Sequence, residues 1–340
     1  MGRFFGPTPN IISAEGFFRG SAGSSGPPFT WTQVITGFES ALAWFYCGYT
    51  NGHYWIAAEN TLNTAVVITS TDLVTFTNHP ILSATPYRAK GLAFGASTYV
   101  AALDSNPAFG ILAYTSPDLV TWTQHNANFP ATGPDQFIYP PVFGNGAFLL
   151  VSTNSPDYAT SPDGATWTLQ STYVPNFWGR PIFDGTRFVA PVMGASNTPK
   201  IAVSTDGINW TESTVTLSSS FSTGTLPFFV GANSTPLYIV GENLDDVGES
   251  VNAALTSATP FTFNDPAAFH GTNSVQFGSV SWSRCNDANG DLFSSSNGTT
   301  WVQDTVAGSP TFFGSIGFGA GNFIANGGNS GGQLLVTRTD

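Results

Sequence analysis

AVSTDGINWT, residues 202–211, is the stretch from which the fold of this 340-residue chain can be read. Related units stand at VITSTDLVTFT (67–77), AYTSPDLVTWT (113–123), YATSPDGATWT (158–168) and LFSSSNGTTWV (292–302), with a degenerate copy at ALTSATPFTF (254–263). In each, a small hydroxylated residue precedes an Asp or its substitute, and an aromatic follows four positions later. The pairs are Asp72/Phe76, Asp118/Trp122, Asp163/Trp167, Asp206/Trp210, Thr259/Phe263 and Asn297/Trp301. This spacing predicts a hairpin: one strand ends at the hydroxyl residue, and the carboxylate accepts hydrogen bonds from the backbone N–H groups of the turn. The returning strand carries the aromatic, which buries its face against a neighbouring unit.

A second element recurs upstream of each turn, a Gly followed by an aromatic-apolar-small run: GHYWIAA (52–58), GASTYVAA (95–102), GNGAFLLV (144–151), DGTRFVAP (184–191), GANSTPLYIVG (231–241) and GAGNFIAN (319–326). Period-2 alternation and aromatic and β-branched enrichment make these strands, and no segment has a helical period. Four short strands repeating every forty-odd residues define a β-propeller blade. The last unit stops at LLVTRTD (334–340), where Asp340 stands at the place of the turn carboxylate with no aromatic strand after it. PPFTWTQVI (27–35), with Trp31, is such a strand without preceding partners. The expectation is therefore an all-β, seven-bladed propeller over residues 29–340. Its N-terminal strand completes the last blade and leaves no open sheet edge. Residues 1–28 form a separate arm.

The pattern G-x-G-x-F-V-A followed by S-x-D-G-x-x-W-T resembles the Asp-box (BNR-like) propeller repeats over about residues 29–340. Such repeats occur in sialidases, some glycoside hydrolases, sortilin-type receptors, photosystem assembly factors and phage structural proteins. The resemblance implies a fold and leaves the activity open, because the same turn serves unrelated functions.

Composition narrows the classes. Lys plus Arg is 9 against 21 Asp plus Glu, a formal net charge of −12, which disfavours nucleic-acid binding through a basic face. Aromatic residues make up 14% and charged residues only 9%, a balance familiar in virion and secreted proteins. Residues 1–28 lack the basic start and continuous apolar run of a conventional signal peptide, and no stretch is long enough to span a membrane. Their Phe pairs, Phe4-Phe5 and Phe17-Phe18, suit apolar anchors of an arm that docks on a partner subunit. Cys47 and Cys285 fall in different blades and read as buried free thiols. His79 and His125 both follow a turn aromatic by three residues, which marks them as structural.

Ligands of propellers bind at the end built by the loops between the second and third strands and by the blade-to-blade connections. That end gathers Glu59, Asp104 and Glu242, each four or five residues beyond its strand aromatic, with Arg88, Tyr139, Trp178 and Arg180 from the connections. These seven are the candidate ligand-binding residues, a rim able to stack on and hydrogen-bond a sugar. Sialidase chemistry would need three arginines on one carboxylate. Of the seven arginines here, Arg3 and Arg19 lie in the arm, and Arg180-Pro181-Ile182 is a displaced echo of the family's Arg-Ile-Pro element. Another glycosidase would need two carboxylates flanking the bond to be cleaved, a role open to Glu59 and Asp104. Two acidic loops carry calcium-type oxygen ligands, Asp287/Asn289/Asp291 and Asp245/Asp246/Glu249, although the first lacks the Gly and Glu that complete an EF-hand loop. The expected function is a non-catalytic virion propeller of the tail or head fibre or decoration type, without cofactor. Its arm would bind other virion subunits and its exposed face the host surface. A carbohydrate-binding lectin or glycoside hydrolase using the rim is the alternative.

Overall fold

A computed structural model describes residues 28–340 apart from 39–41, 61, 63, 82–86, 106–110, 128–137, 153–156, 171–175, 178, 195–197, 216, 218–227, 234–237, 243–246, 263–271, 287–289 and 331. The arm with Phe4, Phe5, Phe17 and Phe18, and also Trp178, lie outside the described residues. Every element among those described is a β-strand, and the strands form seven sheets. In chain order, sheet 1 covers 42–81, sheet 2 87–126, sheet 3 142–170, sheet 4 176–212, sheet 5 228–262 and sheet 6 272–303; sheet 7 combines 312–339 with 30–34. Within each sheet the strands pair antiparallel, apart from one parallel pairing at the outer edge of sheet 7, and the first strand of each run lies innermost. Each packs on the next, and sheet 7 packs on sheet 1. The molecule is a β-propeller.

The repeated turn is built by two side chains acting together. In sheet 1, Ser70 Oγ accepts the N–H of Leu73 at 2.8 Å and donates to Asp72 Oδ1 at 3.1 Å. Asp72 Oδ1 in turn accepts the N–H groups of Val74 and Thr75, both at 2.8 Å. The same bonds recur around Ser116/Asp118, Ser161/Asp163, Ser204/Asp206 and Ser295/Asn297. The residue after each Asp or Asn adopts positive φ: Leu73, Leu119, Gly164, Gly207 and Gly298. Glycine suits that conformation, and it also lets Gly164 lie against the preceding sheet, where an added Cβ would meet Val100 at 2.4 Å. The indole N–H groups of Trp167, Trp210 and Trp301 donate to the carbonyls of Gly164, Gly207 and Gly298. The turn therefore positions the aromatic that it precedes.

The degenerate fifth copy has a different register from that expected. Its turn occupies 252–257, where Asn252 Oδ1 accepts the N–H groups of Thr256 and Ser257 and Leu255 carries the positive φ. Thr259 lies within the outer strand Ala258–Thr262, paired with Ser250. One Asn side chain here replaces the Ser–Asp pair, so the motif is shifted and cannot be aligned by its carboxylate.

Seven buried clusters fill the seams between consecutive sheets, including the seam between sheets 7 and 1. Among the described residues the turn aromatics join the seam toward the preceding sheet: Phe76 in that of sheets 7 and 1, Trp122 of 1 and 2, Trp167 of 2 and 3, Trp210 of 3 and 4, and Trp301 of 5 and 6. Glycine at the end of an inner strand makes the seam close. A Cβ on Gly95, Gly144 or Gly319 would stand 2.0–2.3 Å from the ring of Phe143, Phe183 or Tyr49 on the following sheet. Both cysteines are buried and form no disulfide. His79 and His125 hydrogen-bond Thr69 and Thr115 on the adjacent strand at 2.8 Å, and Gln170 bonds Thr160 in the same way.

The N-terminal strand Thr30–Val34 pairs antiparallel with Gly332–Thr339 through Thr32↔Thr337, Gln33↔Val336 and Val34↔Leu335. Its outer edge pairs in parallel with Thr305–Val306, which the sequence did not foretell. Asp304 is the clasp: it accepts the Trp31 indole N–H and the Phe29 backbone N–H, both at 2.9 Å, and the Ser294 hydroxyl at 2.7 Å. Asp340 does not open a repeated turn. Its carboxylate accepts the N–H groups of Ser279 and Val280 and the Ser281 hydroxyl, capping a turn of sheet 6.

Candidate functional site

The inner strands of sheets 1, 2, 3, 4, 6 and 7 enclose an axial cavity of about 610 Å³. Two features of those strands shape it. Toward the turns that join first to second strands, each inner strand contributes a half-buried aromatic: Tyr49, Phe94, Phe143, Phe183, Phe277 and Phe318. Each pairs in register, edge-on or tilted, with the aromatic five residues later on the second strand, as in Phe94↔Tyr99 and Phe318↔Phe323. All but Phe277 line the cavity.

Toward the opposite end, the inner strands of sheets 1, 2, 6 and 7 each carry a β-bulge, at Phe45, Lys90, Asn273 and Gly314. A bulge leaves one residue unpaired and re-aims its side chain. In sheet 2 the bulged residue is Lys90, whose ammonium lies 4.6 Å from the ring centre of Phe45 and 3.3 Å from Asp104 Oδ2. Asp104 is almost fully buried and stands opposite Arg88, whose Nε is 3.1 Å from Glu59 Oε2. Burial pushes the Asp104 carboxyl above its ordinary range, and the charge and hydrogen bond of Lys90 oppose that shift.

The seven rim residues expected from the sequence therefore separate. Glu59, Arg88 and Asp104 come together, with Lys90 as the fourth member that sequence reasoning missed. They lie within strands (His53–Asn60, Thr98–Ser105 and Tyr87–Gly95) and not in loops, so their charges are spent on each other. Tyr139 lines the cavity but is buried, which raises its phenol well above the usual range and removes it from a sugar-stacking surface. Glu242 ends the strand Tyr238–Glu242, and its side chain is outside the described residues. Of the acidic loops, Asp245, Asp246, Asp287 and Asn289 are outside the described residues, and Asp291 accepts a hydrogen bond from Gln303. Glu249 is no loop ligand: it is buried in the strand Val247–Val251. Among the described residues no group of three metal-ligating side chains forms.

Arg180 belongs to sheet 4, yet it interacts electrostatically with Tyr46 and Cys47 of sheet 1, across the ring. Its side chain lines the axial cavity. It is half-buried on the cavity wall, and desolvation lowers its pKa. Nε has no hydrogen-bond partner, and no carboxylate pairs with the guanidinium among the described residues. The neighbouring Cys47 thiol is pushed up to about 11 by burial, partly offset by its hydrogen bond to Ser315, so it is protonated and no nucleophile.

No protein-family model matches the chain, and no curated protein matches it. Solved structures similar to it are propellers. YCF48 bound to D1 peptide is 16% identical with a TM-score of 0.66, the match covering 92% of this chain and 96% of that one. A catalytically inactive virginiamycin B lyase from Staphylococcus aureus with quinupristin is 10% identical with a TM-score of 0.68, covering 91% and 99%. The WD40 propeller domain of Doa1 is 10% identical with a TM-score of 0.59, covering 91% and 97%. At these identities the likeness concerns the fold alone.

Proposed function

We propose that this chain is a non-catalytic binding propeller of the structural or adhesive kind carried on virions, held by residues 1–28 and presenting the ring to a surface. We also propose that the ring is seven-bladed and of the Asp-box type, on the support of its seven sheets and recurrent Ser–Asp turns.

One observation carries the non-catalytic reading. The rim carboxylates best placed for acid–base chemistry, Glu59 and Asp104, are held by Arg88 and Lys90 at 3.1 and 3.3 Å. A hydrolytic pair must instead face each other across a substrate, with one carboxyl free to donate a proton and the other to attack or activate water. The four-charge cluster fixes the seam between sheets 1 and 2 and leaves neither carboxyl free for that work. The virion setting draws on the low charge and the Phe pairs of the arm.

The test is co-purification from the native source, with the bound proteins identified by mass spectrometry. Recovery in fixed stoichiometry with particle components is the expected result, and deletion of residues 1–28 should abolish it while the propeller still folds. A chain recovered alone, or turnover of aryl glycosides that Glu59→Gln or Asp104→Asn abolishes, would overturn the reading.

A further inference from the structure

We infer that the axial cavity is a binding site for a small molecule that carries one carboxylate on a flat apolar body, with Arg180 as the carboxylate receptor. This goes beyond the adhesive reading and does not depend on it.

Charge is the first argument. The chain is strongly acidic overall, at a formal −12, yet the charged side chains on the cavity wall among the described residues are Lys90 and Arg180. Lys90 is engaged by Asp104. Among the described residues no carboxylate pairs with Arg180, and its Nε is buried without a hydrogen-bond partner. A guanidinium taken out of bulk water without a counter-charge is costly, and its planar donors match a carboxylate in two parallel hydrogen bonds. An anion entering the cavity would supply the missing partner.

Shape is the second. Phe183 lies three residues beyond Arg180 in sequence and belongs to the aromatic girdle at the other end of the cavity. Three residues of chain span at most about 10 Å, which admits a body of up to two linked aromatic rings. The volume of about 610 Å³ is that of sites for drug-sized ligands. Rings such as Phe94, Phe143 and Phe318 offer offset or edge contacts to such a body. The ligand class is therefore set at both ends, by a guanidinium and by an aromatic girdle.

The experiment is calorimetric titration of the full chain with biphenyl-4-carboxylate and, separately, with its neutral isostere biphenyl-4-carboxamide. The expected result is that the carboxylate binds at least about tenfold more tightly than the amide, the effect of one enclosed charge pair. Arg180→Gln should reduce that preference to less than about twofold, and Arg180→Lys should keep part of it because the charge remains while the fork is lost. Circular dichroism checks that both variants fold; the comparison of the two ligands on the natural chain needs neither. Equal affinity for acid and amide, no binding of either up to about 10 mM, or an unchanged preference in folded Arg180→Gln would each overturn the assignment.

Discussion

Asp304→Ala tests whether one carboxylate holds the ring shut. Asp304 is 6% exposed and accepts three donors, two of them from the N-terminal strand. Hydrogen bonds to a charged group contribute about 1.5–3 kcal/mol each, but the released Phe29 N–H lies partly within reach of water, and removing Asp304 also relieves its desolvation. That burial is the largest influence on Asp304 and raises its pKa. The net loss expected is about 3 kcal/mol, between one bond and the sum of three. Trp31→Phe, which deletes the indole N–H but keeps most of the buried ring, should cost about 1–2 kcal/mol. The double variant should show a coupling of about 1 kcal/mol, because both changes remove the same bond. Urea unfolding followed by tryptophan fluorescence gives all four values, and the N-terminal strand should become sensitive to protease in Asp304→Ala. A loss below about 0.5 kcal/mol, or strict additivity of the two changes, would refute the clasp.

Further outcomes follow from the seams and the turns. Gly144→Ala should lower stability by about 2 kcal/mol, since its Cβ would stand 2.1 Å from the Phe183 ring, and Phe183→Leu in the same chain should restore part of the loss, as read by thermal melting. Stability should fall as pH drops from about 4 toward about 2, because the turn carboxylates have folded pKa values below their unfolded ones. For Asp72, Asp118 and Asp163 the foremost cause is the backbone N–H bonds of the turn; for Asp206 burial pulls upward but is outweighed by bonds from Asn209, Ile208 and Ser204, leaving it at about 2. Their stabilisation is full above the unfolded pKa and disappears as pH falls through the folded one, so Asp206→Asn should flatten the acid limb of a melting-temperature profile. Buried Asp104 and Asp304, raised by burial, act with the opposite sign.

The fold was legible because its devices repeat. A Ser two residues before an Asp, a residue able to take positive φ and an aromatic four positions on can be counted along the chain, and the structure gives each the same bonds. Legibility failed where a different side chain performs the same task. Asn252 completes the fifth turn alone, so a search for the carboxylate lands on Thr259, inside the next strand. Asp340 kept the right residue type but met another sheet's amides. The parallel pairing of Thr30–Val34 with Thr305–Val306 had no local signal, since it joins the two strands through backbone bonds and the Asp304 clasp.

The site was less legible for a related reason. Glu59, Asp104 and Arg88 were expected on loops at one end of the blades, but they lie within strands, and sequence position says nothing about whether charges face solvent or one another. Lys90 was invisible because nothing in its neighbours marks a bulge; only the register, which skips from Ala89 to Gly91, reveals that its side chain is re-aimed. The same place in other sheets holds Phe45 and Gly314, so it is conserved as backbone geometry within this one chain while its chemistry varies. That contrast locates specificity. Seam glycines and Ser–Asp turns recur from sheet to sheet and serve to close the ring, so they do not distinguish one ligand from another. Phe45 and Lys90 on inner strands, and Tyr139 and Arg180 in the segments that lead into them, differ from sheet to sheet and all border one axial space. Recognition by this propeller should therefore respond to changes at Arg180 and remain unaffected by changes at the repeated turns that leave the ring folded.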